Sequence, residues 1–370
     1  ETLTVDRSSL LDNIDNIFSA NTDVLIIRGT EEMGKTTLLK QYAIRHVNFV
    51  IGIFINGQSR WAYDEQNILT ELYQSLKTLL GQRPDPDDQI NMGLIRQLYI
   101  TISRRMRLQN KFVYFILDGI DEIPTADDAC RKTILDMLPI GYHNIRFLIS
   151  TERVPELSKI REYFVPPFSV DETASLYSGL NFTRKQIEEI RRTFRGIPGH
   201  MVAVRRIARR HHEPTEFIDD LPKTLSEIFE LEWKTTESAP DVILDALAII
   251  AFDRKEYNLS LLGEILSKEA NYLKDYINSY SFIAKNSDGE LSYTSDSYKK
   301  FASGKLRSRY IHVNNKLADF LLKSPQSDEA IRNIPGYMFH AKRFDDLLNF
   351  LSPALFTTLL ERSESLVSIQ

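Results

Sequence analysis

Nine residues, Gly29-Thr30-Glu31-Glu32-Met33-Gly34-Lys35-Thr36-Thr37, carry the densest chemistry in the chain. Two glycines, a four-residue gap between them and a following Lys-Thr pair make a G-x-x-x-x-G-K-T pattern. Its flanks are Asp23-Val24-Leu25-Ile26-Ile27, an apolar run of strand length, and Leu38-Leu39-Lys40-Gln41-Tyr42-Ala43-Ile44, which reads as an amphipathic helix. Strand, glycine-rich loop and helix together are what a phosphate-binding loop requires. The backbone N–H groups from Gly29 through Met33, Gly34 and Thr37 and the helix N-terminus then face a phosphate chain. Lys35 is expected to reach the β- and γ-phosphates, and the Thr36 hydroxyl to ligate Mg²⁺. The expected ligand is a nucleoside triphosphate or its diphosphate, ATP or ADP.

Three further stretches extend that chemistry. Asp118-Gly119-Ile120-Asp121-Glu122 follows the apolar run Lys111–Leu117. A carboxylate at the end of a buried strand needs a cation, and beside a phosphate loop that cation is Mg²⁺. Hydrolysis also needs a group to orient and deprotonate water; Asp121 and Glu122 are the available carboxylates, with Asp121 favoured. Thr151-Glu152-Arg153 ends the next apolar run, where Arg153 can contact the γ-phosphate. Gly196-Ile197-Pro198-Gly199 is a helix stop and restart, and the rigid turn at Pro198 offers an apolar edge to an adenine ring.

The elements that must hold these residues alternate. Apolar strands are expected near residues 23–27, 49–55, 111–118, 146–151 and 163–165, with helices between them, which indicates a parallel sheet covered on both faces. After Phe168 the pattern becomes helix upon helix. Three helices near 242–252, 259–267 and 272–280, then an extended pair turned by Asn286-Ser287-Asp288-Gly289, make the plan of a winged helix. The expected domains are an α/β P-loop NTPase domain at 1–168, an all-α helical lid at 169–222, a winged helix at 223–308 and C-terminal helices at 309–370.

Composition bounds the rest. The 370 residues carry 42% hydrophobic and 26% charged residues, enough for sizeable cores, with a net charge of -5 that favours neither nucleic acid nor anionic membrane. Cys130 stands alone, so no intrachain disulfide forms and a reducing, cytoplasmic setting is expected. The start at Glu1 without Met predicts a segment of a longer or processed chain. Isolated histidines lack metal-ligand spacing, and no nucleophile motif is present. The basic run Arg205-Arg206-Ile207-Ala208-Arg209-Arg210-His211-His212 lacks interleaved aromatics and reads as a solvated face or a protomer interface rather than a nucleic-acid surface.

Taken in order, Gly29–Thr37, Asp118–Glu122, Thr151–Arg153 and Gly196–Pro198 resemble the successive motifs of the STAND ATPases, the signal-transduction NTPases that include the NACHT and NB-ARC groups. The small residue Gly119 directly after Asp118, with the acids Asp121 and Glu122 two and three positions further on, is similar to the NACHT form of Walker B. The resemblance covers roughly residues 5–305. It implies that Val5-Asp6-Arg7 lies against the adenine and that Pro198 contacts the base. It also implies an ADP-bound resting state, an ATP-bound state that assembles into a homo-oligomer, and effector and sensor domains outside this segment, with antiphage defence as the biology. Many members carry a winged-helix histidine on the ADP β-phosphate; here Ser295 stands at the corresponding place, able to donate one hydrogen bond but not to carry charge. The alternative is a DNA-associated AAA+ ATPase of the origin-recognition or loader type. The sparsely basic stretch Ala270–Asn278 disfavours it.

Overall fold

Continuous apolar runs become buried strands when both faces of a sheet are covered. In the computed structural model, which describes residues 5–20, 22–55, 63–85, 88–151, 160–209, 218, 221–253 and 255–353, five such strands form. They are β1 (Val24–Arg28), β2 (Val50–Phe54), β3 (Val113–Asp118), β4 (Ile145–Ser150) and β5 (Ile160–Phe164). The sheet runs β2-β3-β4-β1-β5 and every pairing is parallel. Side chains alternate across it. Val24 and Ile26 of β1, Phe115 and Leu117 of β3, and Phe147 and Ile149 of β4 share one face. Leu25, Ile27, Tyr114, Ile116 and Leu148 share the other.

Helices cover both faces. α1 (Ser8–Ser19) and α2 (Lys35–Arg45) pack on the second face through Leu10, Ile14, Phe18, Leu38, Leu39 and Tyr42. Each of these side chains contributes about 1.5–3 kcal/mol on leaving water. α3 (Glu65–Leu79), α4 (Met92–Gln109) and α5 (Asp128–Met137) cover the first face. Their starts are written locally. The Asp64 side chain accepts from the backbone N–H of Gln66 and Asn67, and Asn91 accepts from Leu94. The lid is α6 (Val170–Leu176), α7 (Arg184–Thr193) and α8 (Pro198–Ala208); the first two open with capping boxes, Ser169 with Glu172 and Thr183 with Gln186.

The chain divides into two units, Glu1–Lys223 and Thr224–Gln370. The second holds α9 (Leu225–Trp233), α10 (Asp241–Phe252), β6 (Tyr257–Asn258), α11 (Leu259–Leu266), α12 (Ala270–Ile277), β7 (Ile283–Lys285) and β8 (Glu290–Tyr293), then α13 (Asp296–Lys305), α14 (Tyr310–Leu321), α15 (Asp328–His340) and α16 (Phe344–Phe350). Helix, strand, two helices and a hairpin, with the antiparallel order β6-β8-β7, are the winged-helix arrangement. Near-parallel rings of Tyr280, Phe282, Tyr293 and Tyr298 stack in its core. No helix among the described residues is long and apolar enough to cross a membrane.

Two elements go beyond the sequence reading. β6 is two residues long, too short for alternation to show, and α13 is a polar segment that pattern alone leaves as loop. One reading is corrected. Arg205 is not on a solvated face: it is only 4% exposed, turned inward with Met201, Val204 and Ala208 on the buried side of α8. Arg209 is exposed, and residues 210–212 lie outside the described residues.

Candidate functional site

The phosphate loop leaves β1 and enters α2 through Gly34, whose φ of 79° lies in the left-handed region that glycine tolerates. Gly29 is confined as well, since a Cβ there would stand 3.2 Å from the Cβ of the buried Met33. The first turn of α2 carries neither an acidic residue nor a side-chain cap. The N–H groups of Lys35, Thr36 and Thr37 therefore keep their partial positive charge for an anion. The Lys35 ammonium folds back over the loop and donates to the carbonyl oxygens of Gly29 at 2.6 Å and Thr30 at 3.1 Å. Thr36 and Thr37 are exposed at the mouth of the loop.

Strand register brings the other residues alongside. Ile27 pairs with Ser150, and Ile149 with Leu117, so the ends of β1, β4 and β3 lie level. Two strand spacings, about 10 Å, separate β1 from β3. In a parallel sheet this C-terminal edge is where ligands bind. Asp118 ends β3 at 6% exposure, and among the described residues no group donates a hydrogen bond to its carboxylate. A buried carboxylate without an internal donor fits a divalent cation, and Thr36 supplies a second oxygen of the right hardness.

The turn after Asp118 is held from three sides. The Asp118 carbonyl accepts the N–H of Ile55, and Gly119, at φ 79°, passes so close to β2 that a Cβ would meet the Ile55 oxygen at 2.1 Å. Arg131 of α5 donates to the carbonyls of Ile120 at 3.3 Å and Ile123 at 2.6 Å. Thr151, buried just past β4, donates its hydroxyl to Asp121 at 2.8 Å. Asp121 is thus fixed at the strand ends, whereas Glu122 is exposed beside Gly119. Arg153 lies outside the described residues.

The lid meets the loop directly. Pro198 opens α8 and is buried, standing 3.8 Å from where a Cβ on Gly34 would lie. The turn before it is tight: Arg195 and Gly196 both have positive φ, and the Phe168 N–H donates to the Gly196 carbonyl at 2.8 Å. Arg7 sits at the base of the lid. Its guanidinium donates to Glu172 at 2.8 Å and to the Pro166 carbonyl at 2.7 Å, and lies over the Phe168 ring. These three contacts tie the N-terminal segment to α6 and the residues just before it. Ser295 belongs to the second unit, where its hydroxyl caps α13 by accepting the Tyr298 N–H at 3.2 Å.

Sequence reasoning overlooked one contact of the loop. The Glu32 carbonyl accepts the Gly199 N–H at 2.9 Å. A glycine directly after the proline that opens a helix was the available signal that something approaches closely there.

No family model matches the chain, and no curated protein matches it. Among solved structures, a signal transduction ATPase with numerous domains and a tetratricopeptide-repeat sensor, from Pyrococcus horikoshii, superposes with a TM-score of 0.57 at 13% identity. The match covers 97% of this chain and 52% of that one, so the chain spans about half its length. A Walker-type ATPase of Pyrococcus abyssi aligns at a TM-score of 0.43 and 12% identity, covering 81% of this chain and 96% of its own. The ORC2 protein of Aeropyrum pernix aligns at 0.40 and 14%, covering 83% and 95%. The first likeness, joined to the parallel sheet, the loop before α2 and the helix–strand order of the second unit, shows the fold: an α/β P-loop NTPase domain followed by a helical lid, a winged helix and C-terminal helices.

Proposed function

We propose that this chain is the nucleotide-gated core of a STAND-type signalling protein with a NACHT-like site, binding ATP and ADP with Mg²⁺ and hydrolysing ATP slowly. The observation that carries the reading is one juxtaposition. At the same edge of one sheet stand an uncapped helix N-terminus and a buried carboxylate with no described donor. The first is built for phosphate and the second for its counter-cation.

Each residue then has a role. The loop N–H groups and Lys35 bind the β- and γ-phosphates, Lys35 exchanging its carbonyl partners for charge-assisted bonds to phosphate oxygens. Thr36 and Asp118 would hold Mg²⁺, which withdraws charge from the phosphates when bound. Asp121, oriented by Thr151, is the group placed to orient a water and take its proton, with Glu122 as its exposed neighbour. Pro198 borders the base. ADP and ATP differ by contacts to one phosphate, and complete reversal of a two-state equilibrium needs about 5.5 kcal/mol of differential binding. Lys35, Mg²⁺, Arg153 and a homo-oligomeric interface would together supply it, with output and sensing carried by domains joined to this core and antiviral defence as the setting.

The fold likeness over 97% of the chain is one that this reading accommodates. What favours it over a DNA-loading ATPase is the outer face of α12, where Asn271, Tyr272, Lys274 and Asp275 are exposed and only one of the four is cationic. The test is nucleotide affinity by calorimetry together with duplex DNA binding across a salt series. Wild type is expected to bind ADP and ATP with Mg²⁺, and Lys35→Ala to lose at least about tenfold in affinity, the scale of one charged contact. Equal affinity in the variant overturns the phosphate role. Tight, steeply salt-dependent duplex binding overturns the ranking of the two readings.

A further inference from the structure

The phosphate loop and the lid meet where neither side has spare room. Glu32, inside the loop, holds a φ of 65°, a conformation uncommon for a residue with a side chain. Its carbonyl accepts the N–H of Gly199 in the first turn of α8. A Cβ built on Gly199 would stand 1.9 Å from Glu32 Oε2, 2.7 Å from its Cβ and 2.8 Å from its Cδ. All three nearest atoms belong to the Glu32 side chain. The half-buried His200 follows, and the Glu32 carboxylate acts on its imidazole, opposing the effect of burial. A carboxylate is repelled by phosphate, so phosphate binding gives no reason for glutamate at this position; contact with the lid does.

We propose that Glu32 and Gly199 form a size-matched clip that couples the position of the lid to the conformation of the phosphate loop, making Glu32 a positioning residue for nucleotide rather than a ligand to it. The proposal rests on the nucleotide reading above. Phosphate held by the loop N–H groups fixes the Glu32 backbone. One hydrogen bond and one close contact pass that constraint to the first turn of α8, and so to the helix that Pro198 opens. The side chain at Glu32 demands glycine at 199, and glycine at 199 lets the two backbones approach within hydrogen-bond distance.

The test uses the 370-residue chain, with variants Gly199→Ala, Glu32→Gly, the double variant and Lys35→Ala. ADP affinity with Mg²⁺ and amide hydrogen exchange over residues 197–204 are measured, and thermal unfolding reports folding. Gly199→Ala is expected to weaken ADP by at least about tenfold and to speed exchange in the first turn of α8. Glu32→Gly removes the clashing atoms, keeps the carbonyl and suits the positive φ; it loses the side-chain contact with α8 and serves as the reference for the pair, with the double variant within about threefold of Glu32→Gly in affinity. Lys35→Ala loses ADP but keeps the exchange of nucleotide-free wild type. Wild-type affinity and exchange in Gly199→Ala overturn the proposal, as does a double variant at least about tenfold weaker than Glu32→Gly. If Gly199→Ala does not fold, recovery of folding and affinity in the double variant supports the clip and failure to recover overturns it. If wild type binds no nucleotide, the functional reading falls, while exchange in the nucleotide-free single and double variants still decides the clip.

Discussion

Two aspartates are buried almost equally, Asp118 at 6% exposure and Asp245 at 4%, and they do opposite things. Asp245 lies within α10 of the winged-helix unit, where Arg309 donates to one carboxylate oxygen at 2.7 Å and His312 lies 3.1 Å from the other. Arg309 also pairs with Asp241. The charge is cancelled inside the protein, so the group ties α10 to the start of α14. Asp118, at the open end of a parallel sheet, has no such donor among the described residues. Burying a charge is costly unless something pairs with it. Where the described residues supply no partner, a bound cation is one that fits. Burial alone therefore says little about function; the inventory of donors around the buried group says much more.

The contrast extends to the units that hold them. The winged-helix core is closed by stacked aromatic rings, and the Tyr293 hydroxyl there is spent on the Leu247 carbonyl at 2.9 Å. The edge of the P-loop sheet instead keeps helix N–H groups, a lysine whose bonds among the described residues go to its own loop, and a carboxylate unsatisfied by described groups.

Asp118→Asn is expected to lower ATP turnover by at least about a hundredfold, the scale of removing one electrostatic stabiliser, while leaving the melting temperature equal or higher because a lone buried charge is gone. Phosphate release and thermal unfolding, with and without Mg²⁺, read both; turnover within threefold of wild type would show that Asp118 is no cation ligand. Asp245→Ala should do the reverse, costing about 2 kcal/mol in denaturant unfolding by breaking a buried ion pair while ADP affinity stays at the wild-type level. Unchanged stability would mean that the Arg309 pairing is incidental.

The smallest effect concerns pH. Burial lowers the pKa of His46, against the pull of Asp15, and that of His200, against the pull of Glu32. Both lie in the P-loop unit. A histidine whose folded pKa is below its unfolded value of about 6.5 takes up protons on unfolding, so stability is present above that pH and lost as pH falls through it. Melting temperature should drop between about pH 7 and pH 5, and His46→Gln or His200→Gln should flatten the profile. A profile as steep in both variants as in wild type would assign the loss to other groups.

Much of the frame was legible in residue order because its causes are local. Val24–Ile27, Val113–Leu117 and Phe147–Ile149 are apolar without interruption, and runs of that kind become strands buried on both faces. Asp64, Asn91, Ser169 and Thr183 mark helix starts because their side chains accept hydrogen bonds from residues two or three ahead. β6 and α13 were not legible, since two residues make no period and a polar helix depends on what it packs against. Arg205 misled for a related reason: in a run of four arginines, nothing local says which one a helix turns inward.

What the sequence determined by itself is the local chemistry: a glycine able to take the left-handed turn at Gly34, a lysine and a threonine at the helix start, and an aspartate at the end of an apolar strand. The partners of those groups were decided only by the tertiary structure. Thr151 reaches Asp121, Glu32 meets Gly199, Arg7 is drawn to Glu172, and Asp118 is left without a described donor although Asp245 is not. Each of these depends on strand register and helix packing between segments far apart in the chain, and a short-range pattern carries no record of either.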